Sequence, residues 1–247
     1  MSLLMVAKEE TTMHPDADSK DSGQFALDYF GGVSGRKTGS EAFVLDQRQG
    51  IPGARFYPVD QFQLVLGTYG VKHGRQVVSP LILHYVDAFT SYVPLIGESP
   101  PLFLYTFRAQ EAPLVALLPK DNDQPSFRGR RNIAVDVIEA RSIHAYGNRG
   151  VHISNLIPEE EDGLRAERIV ADSGVEIDLP STFGTSGQFV FVSRGSIWHG
   201  QREYDLESLG WMSADEAGQD IHAGRDGAEC LIMRFPYPPN RSVRLAS

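Results

Sequence analysis

One stretch of the chain is written twice. "DQFQLVLGTYGVKHG", beginning at Asp60, returns as "GQFVFVSRGSIWHG", beginning at Gly187. Aligning Gln61-Phe62 on Gln188-Phe189 sets an offset of 127 residues (188 − 61), and the same offset carries Gly97 onto Gly224 (224 − 97). "KHG" and "WHG" match after a one-residue gap, and "PPLFLYTFR" falls against "GAECLIMRF", two apolar runs that end near an arginine. A period this long exceeds the roughly 20–50 residues of a solenoid repeat, so it describes a duplicated domain whose halves share one fold.

The units being duplicated are short strands. Runs such as "FALDYF", "EAFVLD", "FQLVLG", "PLFLYTF", "GQFVFV" and "AECLIMRFP" are separated by Gly and Pro clusters, and no long stretch has helical periodicity. The 24 glycines and 15 prolines suit tight turns. The polar stretch "TTMHPDADSKDSGQ" marks an N-terminal arm, residues 1–24, that stays mobile or docks elsewhere. "PKDNDQPSFRGRRN" is the linker candidate. The expected division is a first barrel over 25–119, a linker over 120–131, and a second barrel with its tail over 132–247.

A formal net charge of −9 argues against a broad nucleic-acid or anionic-membrane surface, and the one dense basic run, "FRGRR", reads as a solvated linker. Cys230 is the single cysteine, so no intramolecular disulfide forms; in "ECLIMRF" it reads as a buried strand thiol. The charges at Lys8, Glu9 and Glu10 interrupt any signal-peptide core, and no run approaches transmembrane length, so a cytoplasmic protein is expected.

In each half an apolar strand and Gly-rich turn precede a second hairpin with a Pro or Gly step and a final apolar strand. In this the chain resembles a bicupin of the cupin superfamily: all-β, with two tandem jelly-roll barrels, the likeness covering about residues 25–238. The architecture is also one way for many short strands to avoid open edges. Metal-binding cupins present two histidines one residue apart, a glutamate shortly after, and a third histidine on the second hairpin. The corresponding stretches here read "ARFYPVDQ" and "PSTFGTSGQ", with Gln61 and Gln188 at the glutamate position and no histidine. The resemblance therefore implies neither a metal nor another cofactor. A site built from remote residues such as His84 or His222 with Glu229 is the alternative.

Alternation places Gln61, Gln63 and Val65 on one face and Phe62, Leu64 and Leu66 on the other; Gln188 and Val190 likewise oppose Phe189 and Phe191. The resemblance, which places an inward ligand at Gln61 and Gln188, implies that the glutamines look into the barrels, with the apolar faces packed between sheets, against the sister half or in a homodimer; the reverse, with Phe62 and Phe189 interior, is the alternative. His84 and Tyr92 join Gln61 as candidate ligand-binding residues in the first barrel. Trp211, which the 127-residue offset makes the counterpart of His84, and His222 join Gln188 in the second. The expected partner is a small molecule. Three functions compete: a binding module, a metal-independent isomerase, epimerase or lyase using His and Tyr, and a metal-dependent dioxygenase with displaced ligands.

Overall fold

A computed structural model describes residues 3–15, 25–31, 36, 38–47, 55–67, 71–73, 76–78, 81–90, 95–97, 102–111, 116–117, 131–137 and 150–237. In chain order its strands are β1 (Leu4–Val6), β2 (Thr12–Pro15), β3 (Phe25–Phe30), β4 (Glu41–Gln47), β5 (Arg55–Phe56), β6 (Gln61–Gly67) and β7 (Val71–His73). Next come β8 (Gln76–Val78), β9 (Ile82–Val86), β10 (Leu95–Gly97), β11 (Leu102–Arg108), β12 (Ala116–Leu117), β13 (Asn132–Asp136) and β14 (Val151–Ile157). The last six are β15 (Arg165–Ala171), β16 (Glu176–Leu179), β17 (Gln188–His199), β18 (Arg202–Tyr204), β19 (Leu209–Met212) and β20 (Gln219–Arg234). Among the described residues the one helical segment is a 3-10 turn, Lys8–Glu10, and no helix is long and apolar enough to cross a membrane.

The chain divides into two units, one of residues 11–139 and one combining residues 1–10 with 140–247. Their main sheets repeat one order. In the first it is β13-β9-β6-β11-β4-β3-β2, and in the second β1-β19-β17-β20-β15-β14. Matching the lists equates β6 with β17, β9 with β19, β11 with the end of β20, and β13 with β1. The edge strands differ from the sequence expectation. Asn132–Asp136, expected to open the second barrel, pairs with β9 in the first unit. The N-terminal arm is split: Leu4–Val6 pairs with Leu209–Met212 in the second unit, while Thr12–Pro15 pairs with β3 in the first. Unpaired backbone N–H and C=O groups along β9 and β19 require a neighbour, and a strand remote in sequence supplies it as well as a local one. The expected linker, 120–131, lies outside the described residues except for Arg131.

Arg131 is not a solvated linker charge. Its Nη2 and Nε lie 2.9 Å and 3.1 Å from Asp87 Oδ1, its backbone N–H donates to Asp87 Oδ2, and its guanidinium lies 5.4 Å from the Tyr85 ring centre. The buried Asp87 also accepts from the Tyr85 hydroxyl at 3.0 Å. Burial, followed by the charges of Asp60 and Asp87, drives the Tyr85 phenol far above its ordinary range, so it remains a donor.

The second unit has a filled core. Ile169, Val190, Val192, Met212, Cys230 and Ile232 pack with Ile177 and Ile221, and Leu3, Met5 and Ala7 of the N-terminal segment join them. Met5 stands opposite Gly210, where an added Cβ would lie 2.5 Å from Met5 Sδ and 2.8 Å from Leu3 Cδ1. A side chain at Gly210 and the N-terminal strand thus compete for one volume. Where β17 bends at its two bulges, Gly195 has φ +67°, and a Cβ there would meet the Gly227 carbonyl oxygen at 2.1 Å, so only glycine fits.

Cys230 is a fully buried strand residue, as its apolar context suggested. Burial, with a smaller push from Glu229, raises its thiol from 9.0 to about 12. Because the folded value lies above the unfolded one, this contribution to stability is complete below pH 9 and is lost as pH rises from 9 toward 12. At pH 8 the native protein is expected to resist Ellman's reagent, and one equivalent should react once the chain is unfolded in guanidinium. Stoichiometric reaction of the native protein within minutes would contradict that environment.

Candidate functional site

The site is built on one face of the first unit's sheet. Directly paired residues share a face, so the ladders assign every side chain. One row runs Asp28, Phe43, Thr106, Gln63, His84 and Ala134, and the next holds Glu41, Arg108, Gln61, Val86 and Asn132. A third row, Leu45, Leu104, Val65 and Ile82, is apolar except for Asp136 at its end. The opposite face carries Phe62, Leu64, Leu83, Tyr85, Tyr105 and Phe107, with the Phe62 and Tyr85 rings 4.8 Å apart. The alternation read in "QFQLVL" holds, and Gln61 and Gln63 lie on the polar side.

The polar side is buried. Asp28, Gln61, Gln63, His84, Thr106 and Arg108 are each no more than 5% exposed. Buried polar groups are costly unless bonded, and here two networks provide most of the bonds. Arg108 donates from Nη1 to Glu41 Oε2 at 2.6 Å, and from Nε and Nη2 to Gln61 Oε1 at 3.3 Å each. Its guanidinium lies 4.1 Å from the Tyr57 ring centre and 5.5 Å from that of Phe43. His84 bridges strands, with Nδ1 3.0 Å from Gln63 Oε1 and Nε2 2.7 Å from Asn132 Oδ1. A neutral imidazole donates from one nitrogen only, so with the neutral ring one of these amides turns its NH2 toward it.

One group is left over. Gln61 Nε2 is buried and has no hydrogen-bond partner among the described residues. Turning the amide would not cure this, because Arg108 would then face an NH2 in place of its acceptor. Two N–H donors of Gln61 are therefore held in position by the guanidinium and unused, at a desolvation cost of about 1–3 kcal/mol.

The equivalent face of the second unit has a different character. Where the first has Gln63, His84 and Thr106, the second has Val190, Gly210 and Ile232, and the place of Ala134 is taken by Met5. Gln188 matches Gln61 and Arg234 matches Arg108, but they do not bond in the same way. Gln188 Nε2 donates to the Pro180 carbonyl at 3.0 Å and contacts Met212 Sδ at 3.2 Å, leaving its oxygen without a partner. Arg234 turns to the Gly163 carbonyl and to Glu159.

The candidates chosen from sequence divide accordingly. Gln61 and His84 share the polar face of the first unit. Tyr92 lies outside the described residues. Gln188, Trp211 and His222 are not brought together. Trp211 stands opposite Phe189 with ring centres 4.5 Å apart, on the face away from Gln188, and His222 is exposed, 3.3 Å from Glu176. Trp211 is therefore the counterpart of Tyr85, an offset of 126 (211 − 85), and Gly210 is the counterpart of His84. The uniform offset of 127 fails by one residue there, and a one-residue slip reverses the face. Arg108, Glu41, Gln63, Thr106 and Asn132 were not selected from sequence. Strand alternation in "EAFVLD" and "FLYTFR" carried the signal for the first two, once the order β6-β11-β4 was known.

No protein-family model matches the chain, and no curated protein matches it in sequence. Solved structures do. A Nostoc punctiforme protein to which dioxygenase activity is provisionally attributed superposes with a TM-score of 0.70 at 8% identity, over 96% of this chain and 84% of that one. Escherichia coli pirin YhhW, in complex with nickel(II), gives 0.57 at 13% identity over 96% and 100%. Bacillus subtilis oxalate decarboxylase OxdC gives 0.61 at 11% identity over 95% and 78%. At such identities the likeness is one of fold: the chain is all-β, of the cupin jelly-roll type.

Proposed function

We propose that this chain is a bicupin that binds a small molecule on the polar face of its first barrel, while its second barrel is structural. The carrying observation is the buried, unpartnered Gln61 Nε2, held toward that face by Arg108. Buried donors are rarely left unused, and a convergent set of polar groups at otherwise apolar walls is the usual make-up of a ligand site. The second barrel's equivalent face supports the asymmetry, since Met5, Val190 and Ile232 fill it.

The reading excludes the metal usual in cupins on grounds of charge. The position that would carry the ligating carboxylate is the amide Gln61, and its oxygen is already engaged by a guanidinium. A divalent cation there would lose its water, gain no anionic ligand from Gln61 and face a fixed positive charge. Binding is favoured over turnover because both ring nitrogens of His84 are engaged within the sheet and the Tyr85 phenol lies on the opposite face. The homodimer expected from the apolar faces belongs to the same proposal, and sedimentation at micromolar concentration as a clean monomer would remove it.

Native mass spectrometry of the purified protein tests the binding claim. A ligand carried through purification should be present in the wild type, lost in Gln61→Met, and retained in Gln188→Met, with circular dichroism confirming the fold of both variants. Retention in Gln61→Met, or loss in Gln188→Met alone, would overturn the assignment to the first barrel.

A further inference from the structure

We infer that the first barrel selects its ligand by hydrogen-bond polarity, taking molecules that present an acceptor atom to Gln61 in preference to molecules that present an N–H or O–H, and that Arg108 is the residue that fixes this polarity. This rests on the small-molecule reading above and adds which side of the hydrogen bond the ligand must supply, whatever its charge.

A glutamine amide is two-sided: its oxygen accepts, its NH2 donates, and a turn of about 180° around the last side-chain bond exchanges the two with almost no change of shape. An amide free to turn therefore reads donors and acceptors alike. Gln61 is not free. Arg108 donates from Nε and Nη2 to Gln61 Oε1 at 3.3 Å each, while its Nη1 is tied to Glu41 Oε2 at 2.6 Å. A guanidinium has donors and no acceptor, so the turned amide would set its NH2 against two N–H groups and lose both bonds. Loss of even one bond to a charged group makes the turned state at least about tenfold rarer. What remains for a ligand is the NH2, which is buried and has no partner among the described residues.

The second barrel holds the same pair of residues without the clamp. Arg234, the counterpart of Arg108, donates to the Gly163 carbonyl and pairs with Glu159. Gln188, the counterpart of Gln61, turns its Nε2 to the Pro180 carbonyl, so that its oxygen is the unpartnered atom. Glutamines at matched positions thus leave donors uncovered in one barrel and an acceptor in the other, and the difference follows what the arginine bonds to. Arg108 acts through Gln61: it is a positioning residue that sets specificity and need not touch the ligand.

Ligand-observed saturation-transfer NMR with matched rings tests this at slightly alkaline pH, where the rings are uncharged. Pyridine and quinoline carry a nitrogen that only accepts, pyrrole and indole an N–H that only donates. The wild type is expected to bind the acceptors at least about tenfold more tightly than the donors. Gln61→Glu keeps the shape and the bonds from Arg108 but puts a second oxygen in place of the NH2, so the ratio should move toward pyrrole and indole by about tenfold or more. In the double variant Glu41→Met, Arg108→Met the amide is free to turn, and the ratio should fall toward one. Should that variant not fold by circular dichroism, Glu41→Gln, Arg108→Gln replaces it, since an amide neighbour tolerates either orientation of Gln61. Donors bound as tightly as acceptors by the wild type, or a ratio unmoved in Gln61→Glu, would overturn the polarity, and a ratio unmoved in the double variant would overturn the part given to Arg108. Binding of no probe, or binding indifferent to Gln61→Met, would count against the small-molecule site itself.

Discussion

Replacing Arg108 with methionine is expected to destabilise the protein by about 3–5 kcal/mol, read as a lower urea midpoint. The size follows from what is lost: a 2.6 Å ion pair to Glu41 in a mostly buried setting, and both donors to Gln61 Oε1. Removing both charges should cost much less than removing one, because the desolvation of Glu41 disappears with it. The double variant Glu41→Met, Arg108→Met should therefore recover most of the loss. A single variant within about 1 kcal/mol of the wild type would mean that the ion pair is not buried as described.

Met5→Ala should cost about 2–5 kcal/mol through the cavity it leaves opposite Gly210. Filling from the other side is its complement: Gly210→Ala alone should clash with Met5, and Met5→Ala combined with Gly210→Ala should lose less than the sum of the two single changes. Strict additivity would contradict the shared volume. The same exchange of sizes runs through both barrels. The first sets His84 beside Ala134 and the second sets Gly210 beside Met5, so the first keeps a polar ring in the space that the second gives to an N-terminal side chain.

The polar face of β6 was legible from sequence because period-two alternation is local: "QFQLVL" alone separates the glutamines from Phe62 and Leu64. The likeness of Gln61 and Gln188 was legible too: each opens a strand, β6 and β17, that holds the same place in its sheet order. Strand exchange was not. Leu4–Val6 is three residues long, too short for any period to show, and its partner Leu209–Met212 lies some two hundred residues away. Asn132–Asp136 was drawn to the second barrel by the polar composition before it, whereas its pairing with β9 depends on which edge lacks a neighbour. Arg108 and Glu41 were out of reach for a related reason. Each is an ordinary strand-end charge until the β11 ladders set Arg108 between Glu41 and Gln61. The His84 and Trp211 match failed because one residue fewer separates β17 from β19 than separates β6 from β9, which sequence alignment by a single offset does not register.

The asymmetry between the barrels is most directly tested by an experimental electron-density map of the protein as purified. Non-protein density larger than a water should lie within about 3 Å of Gln61 Nε2, with its acceptor atom toward that amide. The face of Val190, Gly210 and Ile232 should be closed by Met5 and hold none. A first barrel in which Gln61 Nε2 bonds only to protein groups or water, or a ligand lodged beside Gln188 in the second, would contradict the assignment.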